Sequence, residues 1–174
     1  LSLFGDYTSK HQDGVEWGNP TQNVIVRNNI IHDFTQNIYF SITDFRPGGM
    51  ENIQIYGNVV YEKDNPLNLF WNKGIFVEER FDRFVNNVQV HSNTVVHTLN
   101  SGILLARNIQ NGQVRNNIVY KAPLSPGTAQ AGYNLVADSD SQFVNPANFD
   151  FHLRSTSPAI DSGDPGLASV FNLP

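Results

Sequence analysis

The stretch "HQDGVEW" brings His11, Asp13 and Glu16 within six residues. Two carboxylates and an imidazole that close support two kinds of chemistry. Asp13 and Glu16 could hold a hard cation such as Ca²⁺ through oxygen ligands. They could equally serve as the acid and base of glycoside cleavage. A plainer alternative stands beside both, in which Asp13 caps a turn, Gly14 permits it and Glu16 is solvated. Which reading holds depends on what the strand around them faces.

That strand belongs to a repeat. Four Asn-framed segments align: "NVIVRNNIIH" from Asn23, "NIQIYGNVVY" from Asn52, "NVQVHSNTVV" from Asn87 and "NGQVRNNIVY" from Asn111. Their starts lie 29, 35 and 24 residues apart. Periods in this range indicate a solenoid, and unequal spacing indicates loops of different length inserted at one corner. Within each copy apolar residues alternate at period two, which is a strand signal. Val24, Ile53, Val88 and Gly112 point inward, followed by Val26, Ile55, Val90 and Val114. A second strand precedes each copy in "DGVEW", "QNIYFSI", "KGIFVEE" and "SGILLAR". Its inward rows are Val15, Ile38, Ile75 and Ile103, then Trp17, Phe40, Val77 and Leu105. Each turn of chain thus carries about three short strands, stacked at roughly 4.8 Å per coil. Asn29, Asn58, Asn93 and Asn117 recur in one register. Stacked amides can donate to one coil and accept from the next, so a buried turn is satisfied as an Asn ladder.

Composition sets the outer bounds. The 174 residues suffice for one domain, and 40% apolar with 16% charged residues describes an ordered globular chain. We expect a single domain over residues 1–174, with repeat coils over 11–135 and a closing segment over 136–174. No apolar run approaches the roughly 18–20 residues of a spanning helix, so no membrane span is expected. A net charge of −5 argues against a nucleic-acid partner. Cysteine is absent, so there are no disulfides and no thiolate metal sites. Asparagine reaches 22 residues, which suits turns and stacked strands better than helices.

With the glycine-led strands and the Asn-framed strands on the page, the chain resembles the right-handed parallel β-helix superfamily. That group comprises the pectate-lyase-like proteins and secreted bacterial β-helix repeat proteins. The tail "QFVNPANFDFHLRSTSPAIDSGDPG" also resembles the closing segment common in such bacterial proteins. The implied fold is all-β, a right-handed parallel β-helix of about five coils with the Asn ladder. The tail is expected to cap the C-terminal end, and a partner, an oligomer contact or further coils of a longer chain to cover the N-terminal end. The resemblance implies a secreted or cell-surface bacterial location and an acidic polysaccharide as partner. It also implies that substrate lies along the outer face of the first sheet.

On that face Asp13, Gln36, Lys73 and Ser101 form one row, and Glu16, Tyr39, Phe76 and Leu104 the next. Gly18, Ser41, Glu78 and Ala106 follow. A Lys73 of lowered pKa could abstract the proton beside a neutralised uronate carboxyl. Asp13, Glu16 and Lys73 are therefore the candidate catalytic set, with Asp13 and Glu16 as candidate metal ligands. Ca²⁺ is the cofactor they suit, although nothing in the sequence requires one. Candidate substrate contacts are His11, Tyr39, Phe76, Glu78, Arg80 and Arg107, with Tyr39 and Phe76 stacking on a sugar ring. Polygalacturonase-type enzymes need a paired Asp-Asp, a Gly-His-Gly and an Arg-x-Lys. These are absent, so the implied chemistry is lyase-like rather than hydrolysis of that type. The competing reading is a non-catalytic, adhesin-like structural solenoid.

Other clusters have less to say. In "VEERFDRF", Glu79 and Arg107 fall in one column and are expected to form a surface ion pair. Arg80 and Arg83 could instead grip a sugar carboxylate. Arg27, Tyr56, His91 and Arg115 form an outward basic and aromatic stripe, and His32, Tyr61 and Tyr120 form another outward column. The spacing of His91 and His97 puts them on different faces of a coil, which argues against zinc. Insertions after Asp44 and after Glu62 are expected to wall the first-sheet face or its neighbour.

Overall fold

The computed structural model describes residues 2–4, 12–18, 20–42, 47–63, 72–81, 83–139 and 142–166. His11 and the insertion after Asp44 lie outside these residues, as does most of the insertion after Glu62. Five coils stack in parallel, four of three strands and one of four. The first holds β2 (Asp13–Gly18), β3 (Thr21–Arg27) and β4 (Ile30–His32). The second holds β5 (Gln36–Ser41), β6 (Met50–Tyr56) and β7 (Val59–Tyr61). The third holds β8 (Lys73–Glu78), β9 (Val85–His91) and β10 (Thr94–Val96). In the fourth, β11 (Ser101–Leu105) leads to β12 (Ile109–Gln110) and β13 (Gln113–Arg115), then to β14 (Ile118–Tyr120). The fifth holds β15 (Leu124–Ser125), β16 (Gln130–Gly132) and β17 (Leu135–Ala137).

Equivalent strands form three parallel sheets. The first runs β2-β5-β8-β11-β15, the second β3-β6-β9-β13-β16, and the third β1-β4-β7-β10-β14-β17, where β1 (Ser2–Phe4) pairs with β4. The expected inward rows hold: Ile38, Ile75 and Ile103 are in register, and so are Val26, Ile55, Val90 and Val114. These residues form one core with Ile31, Val60, Val95 and Val119 of the third sheet. β-branched side chains fit such pleated, fully enclosed positions. Gly14, Gly74 and Gly102 also face inward. A Cβ on Gly74 would lie 2.4 Å from the Gly102 carbonyl oxygen and 2.6 Å from Val95 Cγ1. This explains the glycine at the start of β2, β8 and β11.

The asparagines make the turn from the second sheet to the third. Asn29, Asn58 and Asn93 each donate from Nδ2 to the next coil's Asn Oδ1 at 3.0 Å, and each backbone N–H donates to the same oxygen. The ladder continues to Asn134, a fifth rung that the four-fold repeat does not announce. The remaining Nδ2 hydrogen on each inner rung reaches a carbonyl of the coil before, such as Val26, Ile55 or Val90. The residue ahead of every rung is left-handed: Asn28, Gly57, Ser92, Asn116 and Tyr133 have φ between 54 and 64°. A second, shorter ladder joins Asn23, Asn52 and Asn87, also left-handed, within the second sheet.

Outward columns stack too. Arg27, Tyr56, His91 and Arg115 are in register. The Tyr56 and His91 rings are parallel with centroids 4.8 Å apart, and Arg27 donates to the Tyr56 hydroxyl. His91 is buried and Arg115 is paired with Asp164 of the tail. The column is therefore a stack tied off by the tail, not an open basic stripe.

The tail also departs from its expected position. β18 (Phe143–Asn145) and β19 (Asp150–Leu153) form a hairpin through the 3₁₀ turn Pro146–Asn148. Phe143 and Phe151 pack against Tyr61, Val96 and Tyr120 on the outer face of the third sheet. Further on, Asp164 binds Arg115 and accepts from no end strand, while its N–H donates to Asn116 Oδ1 at 2.7 Å. The described tail therefore covers a flank rather than the C-terminal end, where the inward Val136 stays 53% exposed. The reason is the apolar His32–Tyr61–Val96–Tyr120 register, which no coil can cover for itself.

Two consequences are measurable. Replacing Asn93 by alanine orphans the amide and carbonyl groups of both neighbouring rungs, and should cost roughly 1–3 kcal/mol in denaturant unfolding. A loss near zero would mean the ladder contributes no stability. His91 gives a pH effect. Burial lowers its pKa from 6.5 to about 4. Between those values the unfolded chain binds a proton that the folded one refuses. Stability therefore falls as pH drops from about 6.5 towards 4, by at most about 1.4 kcal/mol per pH unit. His91→Phe keeps the stack on Tyr56 and should flatten that slope relative to wild type. An unchanged slope would contradict the assignment.

Candidate functional site

The outer face of the first sheet carries the densest set of functional groups. Its rows follow the expected register: Asp13, Gln36, Lys73 and Ser101, then Glu16, Tyr39, Phe76 and Leu104, then Gly18, Ser41 and Glu78. Successive coils put like positions about 4.8 Å apart, so side chains three strands deep interact along the axis.

Five of these residues form one connected group. Lys73 Nζ lies 3.5 Å from the Phe76 ring centroid. The Phe76 and Tyr39 rings stack at 5.2 Å and 11°. The Tyr39 hydroxyl donates to Glu78 Oε2 at 2.7 Å, and Ser41 Oγ donates to the same oxygen at 3.3 Å. Arg80 Nε completes the set at 2.9 Å from Glu78 Oε2. Burial, with a further push from Glu78, raises the Tyr39 pKa to about 12, the Ser41 contact opposing it. Burial also pulls Lys73 below its ordinary value, against the opposing pull of Glu78. The hydrogen bond to Glu78 raises Arg80.

This arrangement changes several expected roles. Tyr39 and Phe76 are only 3% and 6% exposed, and they stack on each other. They are spacers within the face, not platforms for a sugar ring. Asp13 and Glu16 sit on the first coil and Lys73 on the third, roughly 10 Å apart by the strand spacing. The three face the same way but do not meet. Among the described residues no group of three His, Asp or Glu side chains is placed to hold a metal ion. Glu79 does not pair with Arg107. It accepts instead from Asn108 Nδ2 at 3.4 Å, because the turn at 107–108 carries the asparagine into the column. Gln36 and Ser101 flank Lys73 in its row. Both are buried, and among the described residues neither the Gln36 amide nor the Ser101 hydroxyl has a hydrogen-bond partner.

The open part of the face lies further along. A groove of about 360 Å³ runs between the third and fourth coils, lined by Phe76, Glu78, Glu79, Leu104, Arg107 and Asn108 among others. A smaller one beside it shares Glu79 and Asn108 and adds Arg83, Phe84 and Gln110. Phe81 and Phe84, at the same corner, are 43% and 45% exposed. Arg107 is exposed and makes no ion pair among the described residues. The sequence signals "VEERFDRF" and "LLARN" contained this corner. They did not reveal that the corner stays open while the "HQDGVEW" rows close over Gln36 and Tyr39.

Comparison with known proteins gives one match. A family model described as a right handed beta helix region matches residues 6–147. Searches of the curated proteins and of the solved structures returned no match.

Proposed function

The chain belongs to the right-handed β-helix family, and on that footing we propose that it binds an acidic polysaccharide along the groove of the third and fourth coils. The observation that carries this reading is the charge balance of the groove. Glu78 is engaged by Tyr39, Ser41 and Arg80, and Glu79 by Asn108, whereas Arg107 has no carboxylate partner among the described residues. A guanidinium on an open groove is complementary to a sugar carboxylate, which it can hold bidentately. Phe81 and Phe84 offer exposed rings to the apolar face of adjoining sugars. Such a ligand fits a protein that works outside the cell or on its surface.

A second reading, favoured by the lowered pKa of Lys73, adds cleavage by β-elimination. Unprotonated Lys73 would take the proton from the carbon beside the uronate carboxyl, the glycosidic C–O bond on the next carbon would break as the C=C bond forms, and the leaving oxygen would take a proton from water. The carboxyl needs a neutralising cation such as Ca²⁺ or an arginine. The polar row Gln36–Lys73–Ser101 is the part of the face chemically suited to that step.

Calorimetric titration with trigalacturonate, with a neutral xylo-oligosaccharide as control, tests binding. Arg107→Ala should weaken the acidic ligand about 10- to 100-fold, the worth of a charged hydrogen-bonded contact. Arg115→Ala, whose guanidinium is held by Asp164, should leave it unchanged. Equal losses in both variants, or no binding of any uronate oligomer, would refute the groove. For cleavage, unsaturated products absorbing at 235 nm should appear from a uronate polymer, with or without Ca²⁺, and vanish in Lys73→Met. No product from any uronate polymer leaves binding alone.

A further inference from the structure

A second groove lies on the opposite side of the core, between the third sheet and the tail hairpin. It measures about 520 Å³, within the range of small-ligand sites. Ile30 and Val59 form its floor, and Tyr61, Phe149 and Phe151 its aromatic walls. Asp150 and His152 stand at its rim. Ile30 is 45% exposed although it faces this groove from within a sheet.

The walls are built at a cost. Phe149 has φ 60°, a left-handed conformation that disfavours a bulky side chain by about 1–2 kcal/mol. That backbone aims its ring onto Tyr61, with centroids 5.4 Å apart, and Lys63 Nζ lies 5.2 Å from the same ring. Tyr61 is in turn fixed by His32, stacked at 4.6 Å on its other side. The rim is equally specific. Asp150 Oδ1 accepts from His152 Nδ1 at 2.6 Å and from the His152 N–H at 3.1 Å. The Nδ1–H tautomer that makes this bond presents Nε2 as an acceptor, and Asp150 Oδ2 accepts no bond among the described residues. The groove therefore pairs an apolar, aromatic interior with two adjacent acceptors at the rim, beside the amide of Asn148.

We propose that this groove binds a neutral hexopyranose. The apolar face of the ring would lie on Tyr61, Phe149 and Phe151, and two vicinal hydroxyls would donate to Asp150 Oδ2 and His152 Nε2. The site is independent of Arg107 and of the groove on the first sheet.

Saturation-transfer and chemical-shift NMR with the methyl pyranosides of glucose, galactose and mannose tests this on the full chain. At least one should bind in the millimolar range and shift the Tyr61, Phe149 and His152 ring signals. Ile30→Arg, which fills the floor from an exposed position, should abolish the response. Asp150→Asn should weaken it several-fold, and Arg107→Ala should leave it unchanged. The proposal fails if none of the three glycosides binds, if binding survives Ile30→Arg, or if benzyltrimethylammonium shifts those rings while the glycosides do not. Trigalacturonate binding lost in Arg107→Ala with glycoside binding intact would separate the two sites.

Discussion

Every coil must turn from the second sheet to the third at one corner, and the amide ladder there governs what else the chain can do. The turn needs one left-handed residue followed by one inward asparagine. That asparagine meets several demands at once: its Oδ1 accepts both the backbone N–H and the side-chain amide of the rung before, and its Nδ2 donates to the next rung's Oδ1 and to a carbonyl of the coil before. Water cannot reach the inner rungs, so an unmet group there would cost the full desolvation penalty. The rung is also a ruler. Asparagine on asparagine fixes the axial spacing and the rotational phase of adjacent coils, and the rows of all three sheets inherit that phase. The left-handed residue matters less, which is why Asn28, Gly57, Ser92, Asn116 and Tyr133 can all occupy it. Only the side chain after it is held to one type.

A fixed phase turns the molecule into columns of like on like. Inside, this gives Ile on Ile and Val on Val. It also gives Trp17 over Phe40 inside, and Tyr39 over Phe76 and Tyr56 over His91 outside, all within 12° of parallel. Stacked rings bury one another, so an aromatic column is a poor binding platform unless its last member is open. Charges behave differently, since like charges 4.8 Å apart repel. The charged columns are accordingly broken, with Glu78 set among Tyr39, Ser41 and Arg80, and Glu79 beside Asn108. The candidate site lies where the repeat is interrupted, at the β8–β9 connection, where groups project without being covered by the next coil.

The division between what was legible in the sequence and what was not follows from this. Inward rows and rungs Asn29 to Asn117 repeat along the chain, so period and alternation expose them. Asn134 lies 17 residues after Asn117 in "AGYNLV", without the doubled asparagine of Asn116–Asn117, and no period marks it. The tail's docking depends on Phe143, Phe149 and Phe151 meeting Tyr61 and Tyr120, contacts between segments that share no repeat. From sequence Tyr61 and Tyr120 are only outward aromatics. The site was half legible. Register placed Lys73, Tyr39, Phe76 and Glu78 on one face, but register says nothing of depth, and depth separates buried Tyr39 from exposed Arg107. The substitution of Asn108 for Arg107 as the partner of Glu79 turns on a two-residue turn that alternation cannot resolve.

A solenoid of this kind couples residues mainly to the coils directly above and below. Its three lateral faces share a core but no side chains. The first-sheet groove draws on the third and fourth coils, while the groove under the hairpin draws on the first two coils and the tail. Between them lie rows of packed Ile and Val. Changes on one face can therefore accumulate without disturbing the other, provided the ladder is left intact. The tail makes the exception. Through Asp164 it reaches Arg115 and Asn116, beside the fourth rung, so the segment that walls the second groove is also fastened at the corner that sets the phase of the coils. Loosening that fastening would open the groove before it unstacked the coils, because the ladder's own hydrogen bonds do not pass through the tail.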